Sequence, residues 1–272
     1  MTLDRAPSDH SHTGNQVGCE HRIGEQDGPH SPSVLVGCEY SATVRDAFRS
    51  RGFDAWSNDI LPTQGEPLWH ITGCVRDAIR SRRWSLIILH VPCTAMAVCG
   101  NRHYGVGTPG HDDRREAVKW TLETWNLAKS HSGHVALENP ASVIFPVLRD
   151  EGAAVQYVQP YEFGHLEQKK TGLALHNLPR LNPTNDVYEA MMQLPKRERE
   201  RIFHMAPSED RGLLRSKFYT GFAEAMADQW GGYLHSLNDS GSKGTDCPRF
   251  AVSDDLLFHD IDNTPGAQHH HA

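Results

Sequence analysis

The stretch VLVGCEYSATVRDAFRSRG, residues 34–52, decides the fold because it places a short apolar run directly before an amphipathic helical pattern that Gly52 would end. The same order of strand and helix recurs in FDAWS with VRDAIRSR, in SLIILH with RREAVKWTLETWNLAKS, and in HVALEN with ASVIFPVLR, where Pro146 is expected to interrupt the helix. Strands that alternate with helices form a parallel sheet covered on both faces. The sequence therefore predicts an α/β fold with a Rossmann-like, mostly parallel sheet.

The composition of the chain bears on its cellular location and on its binding partners. Its 272 residues carry a formal net charge of −7, so contact with nucleic acid would need a local basic patch. No apolar stretch approaches the ~20 residues of a membrane span, and we expect neither a secretory signal nor a membrane partner. The cysteines form no CxxC pair, which favours a reducing, cytoplasmic location.

The two ends of the chain differ in composition from its middle. Residues 1–32 and 237–272 are rich in polar residues and lack apolar periodicity, so we predict a disordered N-terminal tail and a mostly disordered C-terminal tail. Both tails contain histidines, but we expect no defined metal site. Residues 33–236 are predicted to form the folded domain.

Several residues that can carry chemistry follow the predicted strands directly. They are residues 37–41, Asp59, Cys93 and Glu138. In open α/β sheets, ligands bind at the carboxyl ends of the strands. We therefore expect one site at this edge of the sheet.

Cys93 and Glu138 are the candidate reactive pair. Taken alone, Cys93 is equally well explained as a small buried residue, and Glu138 as a turn or helix cap. As neighbours at strand ends they suit a pyrimidine ring, because a thiolate can add to carbon 6 while a carboxylic acid holds N3 and the exocyclic amine. The enamine that forms can then take up a one-carbon group at carbon 5. The pair predicts covalent catalysis on a pyrimidine.

The order of six motifs resembles that of the DNA cytosine-5 methyltransferases. These motifs are VLVGCEYSATVRDAF, DI at 59–60, LIILHVPCT, ALENP, FGHLEQKKTGLAL and RSKFYTGFAEAMADQWG, and together they cover about residues 34–232. The resemblance is closest to a compact, phage-type group of cytosine methyltransferase-like proteins. It implies a class I methyltransferase fold, S-adenosylmethionine as cofactor and cytosine as the base that is modified.

The resemblance also implies roles for individual residues. Cys93 would be the nucleophile, Glu138 the acid at N3, and Lys169 and Lys170 the basic groups that support ring and phosphate. The cofactor would be held by Gly37, Glu39, Tyr40, Ser41, Asp59, Asp77 and Ser216. The substrate would be contacted by Pro92, Thr94, Arg102, Asn139 and Gln168.

Four positions depart from the family pattern. Glu39-Tyr40-Ser41 replaces the usual glycines after Gly37, and Cys74 with the later Asp77 replaces the acidic residue of the third motif. Val91 replaces the first proline of Pro-Pro-Cys, and Pro140 the valine of Glu-Asn-Val. The altered cofactor motifs leave open another donor, such as a folate, and hydroxymethylation. The alternative of a different class is a catalytically idle relative that binds nucleic acid.

Residues 178–212 leave room only for a short insert in place of the family's DNA-recognition domain. Basic residues at 196–201 alternate with glutamates, which favours a solvent-facing charged surface at least as much as phosphate contact. Three alternatives remain open: DNA modification with little sequence preference, a separate DNA-recognition partner, or a free pyrimidine nucleotide as substrate.

The Gly-rich segment after Cys93, which includes Arg102, is predicted to be a mobile flap. His90 and His103 are weaker candidates for orienting the substrate.

Overall fold

The computed structural model describes residues 31–206, 208 and 218–241. Seven strands form one sheet in the order β3-β2-β1-β4-β5-β7-β6. Their bounds are β1 Ser33–Gly37, β2 Asp54–Asp59, β3 His70–Thr72, β4 Leu86–Leu89, β5 Val135–Pro140, β6 Ala154–Val158 and β7 Thr171–His176. Strands β1 to β5 pair in parallel with one another, and β7 runs antiparallel to both β5 and β6. The predicted Rossmann-like, mostly parallel sheet is confirmed.

Helices cover both faces of this sheet. Those of the described residues are α1 Thr43–Arg49, α2 Val75–Arg80, α3 Asn101–Tyr104, α4 His111–His131, α5 Ile144–Asp150, α6 Tyr188–Met192, α7 Lys196–Arg199, α8 Arg201–His204 and α9 Thr220–Gly241. Helix α9 continues past the predicted domain boundary at 236. The remainder of the predicted tails, residues 1–30 and 242–272, lies outside the described residues.

Two apolar cores lie on opposite faces of the sheet. The first core is shared with α1 and α9, and the second core is shared with α2, α4 and α5. Strand β4 shows how the chain supplies both: Leu86 and Ile88 enter the first core, while Ile87 and Leu89 enter the second. This alternation of side chains makes the run SLIILH continuously apolar, as expected of a strand buried on both faces. The same alternation places the side chain of the next residue, His90, on the face of the first core.

Gly37 allows the end of β1 to approach its neighbours closely. A Cβ at this position would lie 2.6 Å from Val75 Cγ2 and 3.0 Å from Leu89 Cδ2, which is too close for any side chain. The glycine is therefore required by the packing of α2 and β4 against β1.

The sequence did not predict three of the strands or the continuity of α5. Strand β3 is only three residues long, and β6 and β7 add antiparallel pairing after the last predicted strand. Pro146 is the third residue of α5 and does not interrupt it, because a proline in the first turn removes no helical hydrogen bond. Among the described residues, no helix has the length and apolarity needed to cross a bilayer.

Candidate active site

Cys93 lies in a turn where the chain leaves β4. Its carbonyl oxygen accepts hydrogen bonds from the main-chain N–H groups of Met96, 3.1 Å, and Ala97, 2.8 Å. Cys93 is half-buried, and the neighbouring Pro92 and Thr94 are exposed. The position is therefore open to a ligand and is not part of either apolar core.

The end of β5 holds this turn in place. The Asn139 side-chain amide is buried and donates a hydrogen bond to the Val91 carbonyl, 2.9 Å. Ser142 Oγ donates to the Met96 carbonyl, 3.0 Å, and the Val98 N–H donates to the carbonyl of Ala141, 2.9 Å. The segment after Glu138 and the segment that carries Cys93 are thus joined on both sides of the thiol. Asn139 was predicted to contact substrate, and the structure uses its amide to join these segments.

The segment predicted to be a flap contains short helices and is held by Arg114. This buried guanidinium donates to the carbonyls of Ala95, 2.7 Å, and Ala97, 3.3 Å, and to Asn101 Oδ1, 2.9 Å. Arg102 is exposed on α3 and donates to His103 Nε2, 2.9 Å. Its guanidinium therefore faces solvent beside the turn.

Glu138 is buried at the end of β5 and contacts His90. The atoms His90 Nδ1 and Glu138 Oε2 lie 3.3 Å apart, so a protonated Nδ1 donates to the carboxylate. Burial on its own would raise the pKa of Glu138, but the hydrogen bond from His90 and the positive charges of Lys169 and His90 bring that pKa below its ordinary value. A carboxylate with a basic environment therefore stands one strand away from the Cys93 turn.

The two predicted basic residues point in different directions. Lys169 lies close enough to Glu138 to lower its pKa, and its Nζ lies 5.9 Å from the ring centroid of Tyr219. Lys170 Nζ lies 4.5 Å from the ring centroid of Tyr157, which packs against Phe145 of the second core. Successive residues of an extended segment point to opposite faces, so only Lys169 joins Glu138.

The Gln168 main chain connects this segment to the short helices that follow the sheet. Its N–H donates to the carbonyl oxygen of Arg199, 2.6 Å. The side chain of Gln168 is half-buried.

Glu39 serves the helix that follows it. Its carboxylate accepts hydrogen bonds from the main-chain N–H groups of Val44, 2.6 Å, and Arg45, 3.2 Å, in the first turn of α1. Ser41 Oγ also donates to Glu39, 3.4 Å. Burial raises the pKa of Glu39, although the charge of His90 and the two N–H donors oppose the shift. Glu39 therefore caps the first turn of α1, and the cofactor contacts of Glu39 and Ser41 stay a prediction.

The remaining predicted cofactor residues divide between the site edge and solvent. Tyr40 is buried, and its carbonyl oxygen accepts hydrogen bonds from Thr63 Oγ1 and the Gln64 N–H. Asp59 is half-buried at the end of β2, and its Oδ1 accepts from the N–H of Leu61, 3.0 Å. Asp77 is exposed and pairs with Arg80 across 3.5 Å. Ser216 lies outside the described residues.

Two features of the site were missed by sequence reasoning. Ile60, directly after Asp59, is 78% exposed, so a large apolar side chain faces solvent at this strand end. The contact of His90 with Glu138 follows from the β4–β5 register, since Leu89 pairs with Leu137 and the next residues must lie side by side. The sequence shows both residues, but the register is needed to pair them.

Two surface clefts lie away from the carboxyl edge of the sheet. One, of about 570 Å³, lies near the amino ends of the strands, with Ser33, Asp54 and Arg82 among its lining residues. The other, of about 220 Å³, lies between α1 and α9 and includes Asp46 and Glu224. Neither is lined by Cys93 or Glu138.

Comparisons with known proteins give only distant similarity. No protein-family model and no curated protein matches the chain. Similar solved structures include a chain described as a DNA modification methyltransferase encoded within an Escherichia coli prophage, with 11% identity, coverage of 61% of this chain and 56% of the other, and a TM-score of 0.39. The Entamoeba histolytica methyltransferase EhMeth has 14% identity, coverage of 57% and 57%, and a TM-score of 0.37. The S. pombe Dnmt2 methyltransferase has 12% identity, coverage of 62% and 56%, and a TM-score of 0.37.

The matched region is a little over half the length of each of these three chains. At this level of similarity, a function for the protein has to be sought in its own residues.

Proposed function

We propose that the protein is a pyrimidine C5 one-carbon transferase that acts on cytosine, with Cys93 as nucleophile and Glu138 as the acid at N3. The observation that carries this proposal is the hydrogen bond from Asn139 to Val91, which ties the residue after the acid to the turn that bears the thiol. The half-buried position of Cys93 supports it, as does His90, a group that can carry a proton 3.3 Å from Glu138.

The reaction uses the Cys93 sulfur as nucleophile and Glu138 as acid, and it ends with the loss of the protons on carbon 5 and N3. The Cys93 thiolate forms a bond to carbon 6, the displaced electrons move through carbon 5 and carbon 4 to N3, and N3 takes a proton held at Glu138. Carbon 5 is then nucleophilic and forms a bond to the one-carbon group. Loss of the carbon 5 proton to water restores the ring double bond, expels the thiolate and returns the N3 proton.

S-adenosylmethionine is the proposed donor, and the end of β2 offers the best fit for it. Asp59 would hold a hydroxyl of the ribose, and the exposed Ile60 would pack against the adenine. When bound, the cofactor supplies a methyl group on a positively charged sulfur, which leaves as a neutral thioether. Glu39 fits less well because the N–H groups of α1 already engage both of its oxygens. A folate donor is therefore kept as a second candidate.

The charges near residues 196–201 favour a free nucleotide over a duplex as substrate. Lys196 and Glu200 form an ion pair, and Arg201 pairs with Glu167 across 2.7 Å. Arg199 donates to the carbonyl oxygen of Leu194. The two ion pairs reduce the positive charge available for phosphates. A duplex would also require the base to leave the stack, at a cost of a few kcal/mol, and a separate recognition partner would have to supply the missing contacts.

Mechanism-based trapping tests the proposal. The protein is incubated with 5-fluorocytosine placed in a DNA duplex or supplied as the nucleotide, each with S-adenosylmethionine, with a methylene-folate or with no donor. Fluorine cannot leave as a cation, so the covalent adduct persists after the one-carbon group has been added. We expect a protein mass that includes both base and methyl group with the nucleotide and S-adenosylmethionine.

A matched pair of variants shows which thiol reacts. C93A should form no adduct, whereas C99A, which removes an exposed thiol of the same segment, should behave as the wild type. An adduct that persists in C93A contradicts the assignment of the nucleophile. If neither substrate form is trapped with any donor, the protein is a catalytically idle relative.

A further inference from the structure

His90 stands between two carboxylates at the carboxyl edge of the sheet. Its ring and the Glu138 side chain are each only 11% exposed, and their closest atoms are 3.3 Å apart. Glu39 approaches from the turn after β1, close enough for His90 to lower its pKa. Lys169 approaches Glu138 from the segment before β7. The arrangement places one titratable ring at the junction of three chain segments.

We propose that His90 is a positioning residue for Glu138, which fixes the carboxyl group through Oε2 and shares with it the proton that N3 of the substrate receives. This role rests on the proposed function of Cys93 and Glu138. His90 acts through Glu138 and is not proposed to touch the substrate.

The register of the sheet makes the contact a fixed one. His90 continues β4 by donating its main-chain N–H to the Gly37 carbonyl, 2.9 Å. Because Leu89 pairs with Leu137, His90 and Glu138 occupy adjacent positions on the same face. The ring of Phe218 packs edge-on against the imidazole, with centroids 4.7 Å apart, and limits its rotation. The carboxyl group of Glu138 is therefore held through one oxygen, which leaves Oε1 for the substrate.

A purely structural histidine explains the site less well. His90 Nε2 is buried and finds no hydrogen-bond partner among the described residues. Buried polar atoms are nearly always satisfied, and an unsatisfied one costs about 1–3 kcal/mol. Besides donating a hydrogen bond to Glu138, an imidazole has a property that other hydrogen-bonding side chains of similar size lack. That property is its ability to hold a proton near neutral pH.

The proton balance follows from the charges around the pair. Before reaction, His90 and Glu138 hold one proton between them. When the Cys93–carbon 6 bond forms, the proton passes to N3, which leaves a neutral imidazole and a carboxylate. The charge of Lys169 lowers the pKa of Glu138, and the Glu39 carboxylate lies near His90 on the turn after β1. Arg45, which faces Glu39 from α1, partly offsets the charge of Glu39.

Two substitutions of His90 distinguish the effect of its hydrogen bond from the effect of its ability to carry a proton. H90N keeps an amide donor near the position of Nδ1 but cannot titrate, and H90L removes both properties. With the 5-fluorocytosine substrate that traps the wild type, we expect H90N to react more than about tenfold more slowly at about pH 7.5 and to approach the wild-type rate as the pH falls. The KM for the substrate should change little, and H90L should be slow at every pH.

Two controls keep this result specific. H131N alters a histidine at the end of α4 and should keep the wild-type pH profile, and thermal unfolding of each variant shows that it is folded. A pH profile of H90N that matches the wild type would overturn the proposal.

A second measurement does not depend on catalysis. The titration of His90 is followed by NMR without substrate in the wild type and in E138Q, with the signal assigned by its absence from H90N. We expect a lower midpoint in E138Q because the carboxylate that favours the imidazolium has been removed. Equal midpoints would overturn the proposal even where an adduct forms. If the midpoints differ but the wild type is not trapped with either substrate form, the proposed function fails, and the role of His90 in that reaction fails with it.

Discussion

The amide of Asn139 donates a hydrogen bond to the main-chain carbonyl of Val91 across 2.9 Å, and this contact joins the two strand ends on which the proposed chemistry depends. Glu138 and Asn139 are successive residues of β5, so their side chains point to opposite faces. Glu138 faces His90 on the side of the first core, while Asn139 faces the turn before Cys93. One strand end thus carries both the proposed acid and the residue that holds the turn of the proposed nucleophile.

Substitution of Asn139 should destabilise the protein and slow trapping together. N139A leaves the Val91 carbonyl without its buried donor, and we expect the free energy of unfolding in urea to fall by about 1–3 kcal/mol. N139D should cost more, since it removes the donor and adds a charge at a fully buried position. The rate of 5-fluorocytosine trapping should fall in both variants. N126A on the exposed face of α4 is the control, and an N139A protein as stable as N126A would contradict the prediction.

The two neighbouring lysines should differ sharply in effect. K169M removes a positive charge beside Glu138 and should raise the pKa of that carboxyl group, because Lys169 lowers it in the wild type. In the proposed mechanism the same charge supports the ring and phosphate of the substrate, and we expect the loss of this support to outweigh the readier protonation of Glu138. We expect trapping at about pH 7.5 to slow more than about tenfold in K169M and to change less than about twofold in K170M. Lys170 contacts Tyr157 on the other face and is therefore the matched control. Equal losses in the two variants would show that the family-derived assignment of both lysines was right.

Two adjacent glycines of α9 should respond oppositely to alanine. A Cβ at Gly231 would lie 2.7 Å from Phe53 Cζ, whereas a Cβ at Gly232 meets nothing within 4 Å. Phe53 is buried and packs edge-on against Phe48, so its ring has little room to move. We expect G232A to stabilise the protein by about 0.5–1 kcal/mol through helix propensity.

G231A gains the same propensity but overpacks the first core, so we expect a net loss of about 0–2 kcal/mol. Urea unfolding of the two variants measures the difference. A G231A protein that is more stable than G232A would show that the α9–Phe53 contact is looser than described.

The fold was largely predictable because its repeating units are local. Strand and helix alternate in β1, β2, β4 and β5, and each apolar run ends at a polar residue, so the parallel sheet and its site edge follow from the sequence. Strands β6 and β7 were missed because their pairing is antiparallel and depends on contacts with β5 that no local pattern contains. The motif around Lys169 was found, but its position beside an antiparallel strand was not.

The positions of the candidate site residues at the strand ends were predictable, and the contacts around them were less so. Cys93 and Glu138 stand out as strand-end residues, but the contact of His90 with Glu138 depends on the register of two strands distant in sequence. Glu39 was expected to hold a cofactor because its turn follows Gly37. Its bonds to Val44 and Arg45 arise from a turn in which Cys38 and Ala42 adopt positive φ values of 60° and 62°. Non-glycine residues rarely adopt this conformation, so the sequence gives little warning of it.

Cys38 should react more slowly with alkylating reagents than Cys74 and Cys99. Its ionisation should also destabilise the protein at high pH. Burial, with the negative charge of Asp59 and the thiol of Cys74, raises the pKa of Cys38 to about 12. At about pH 8, only about one Cys38 side chain in ten thousand is then a thiolate, so iodoacetamide should modify the exposed Cys74 and Cys99 first, as followed by peptide mass mapping.

Because the folded pKa lies above the unfolded value of about 8.5–9, the stability contributed by the neutral thiol is complete below that value and is lost as the pH rises toward 12. Between about pH 8 and pH 10, we therefore expect C38A to lose about 1.5 kcal/mol less of its free energy of unfolding than the wild type, while C99A follows the wild type. Modification of Cys38 at the same rate as Cys99 would show that the end of β1 is open to solvent, and would remove the basis for both expectations.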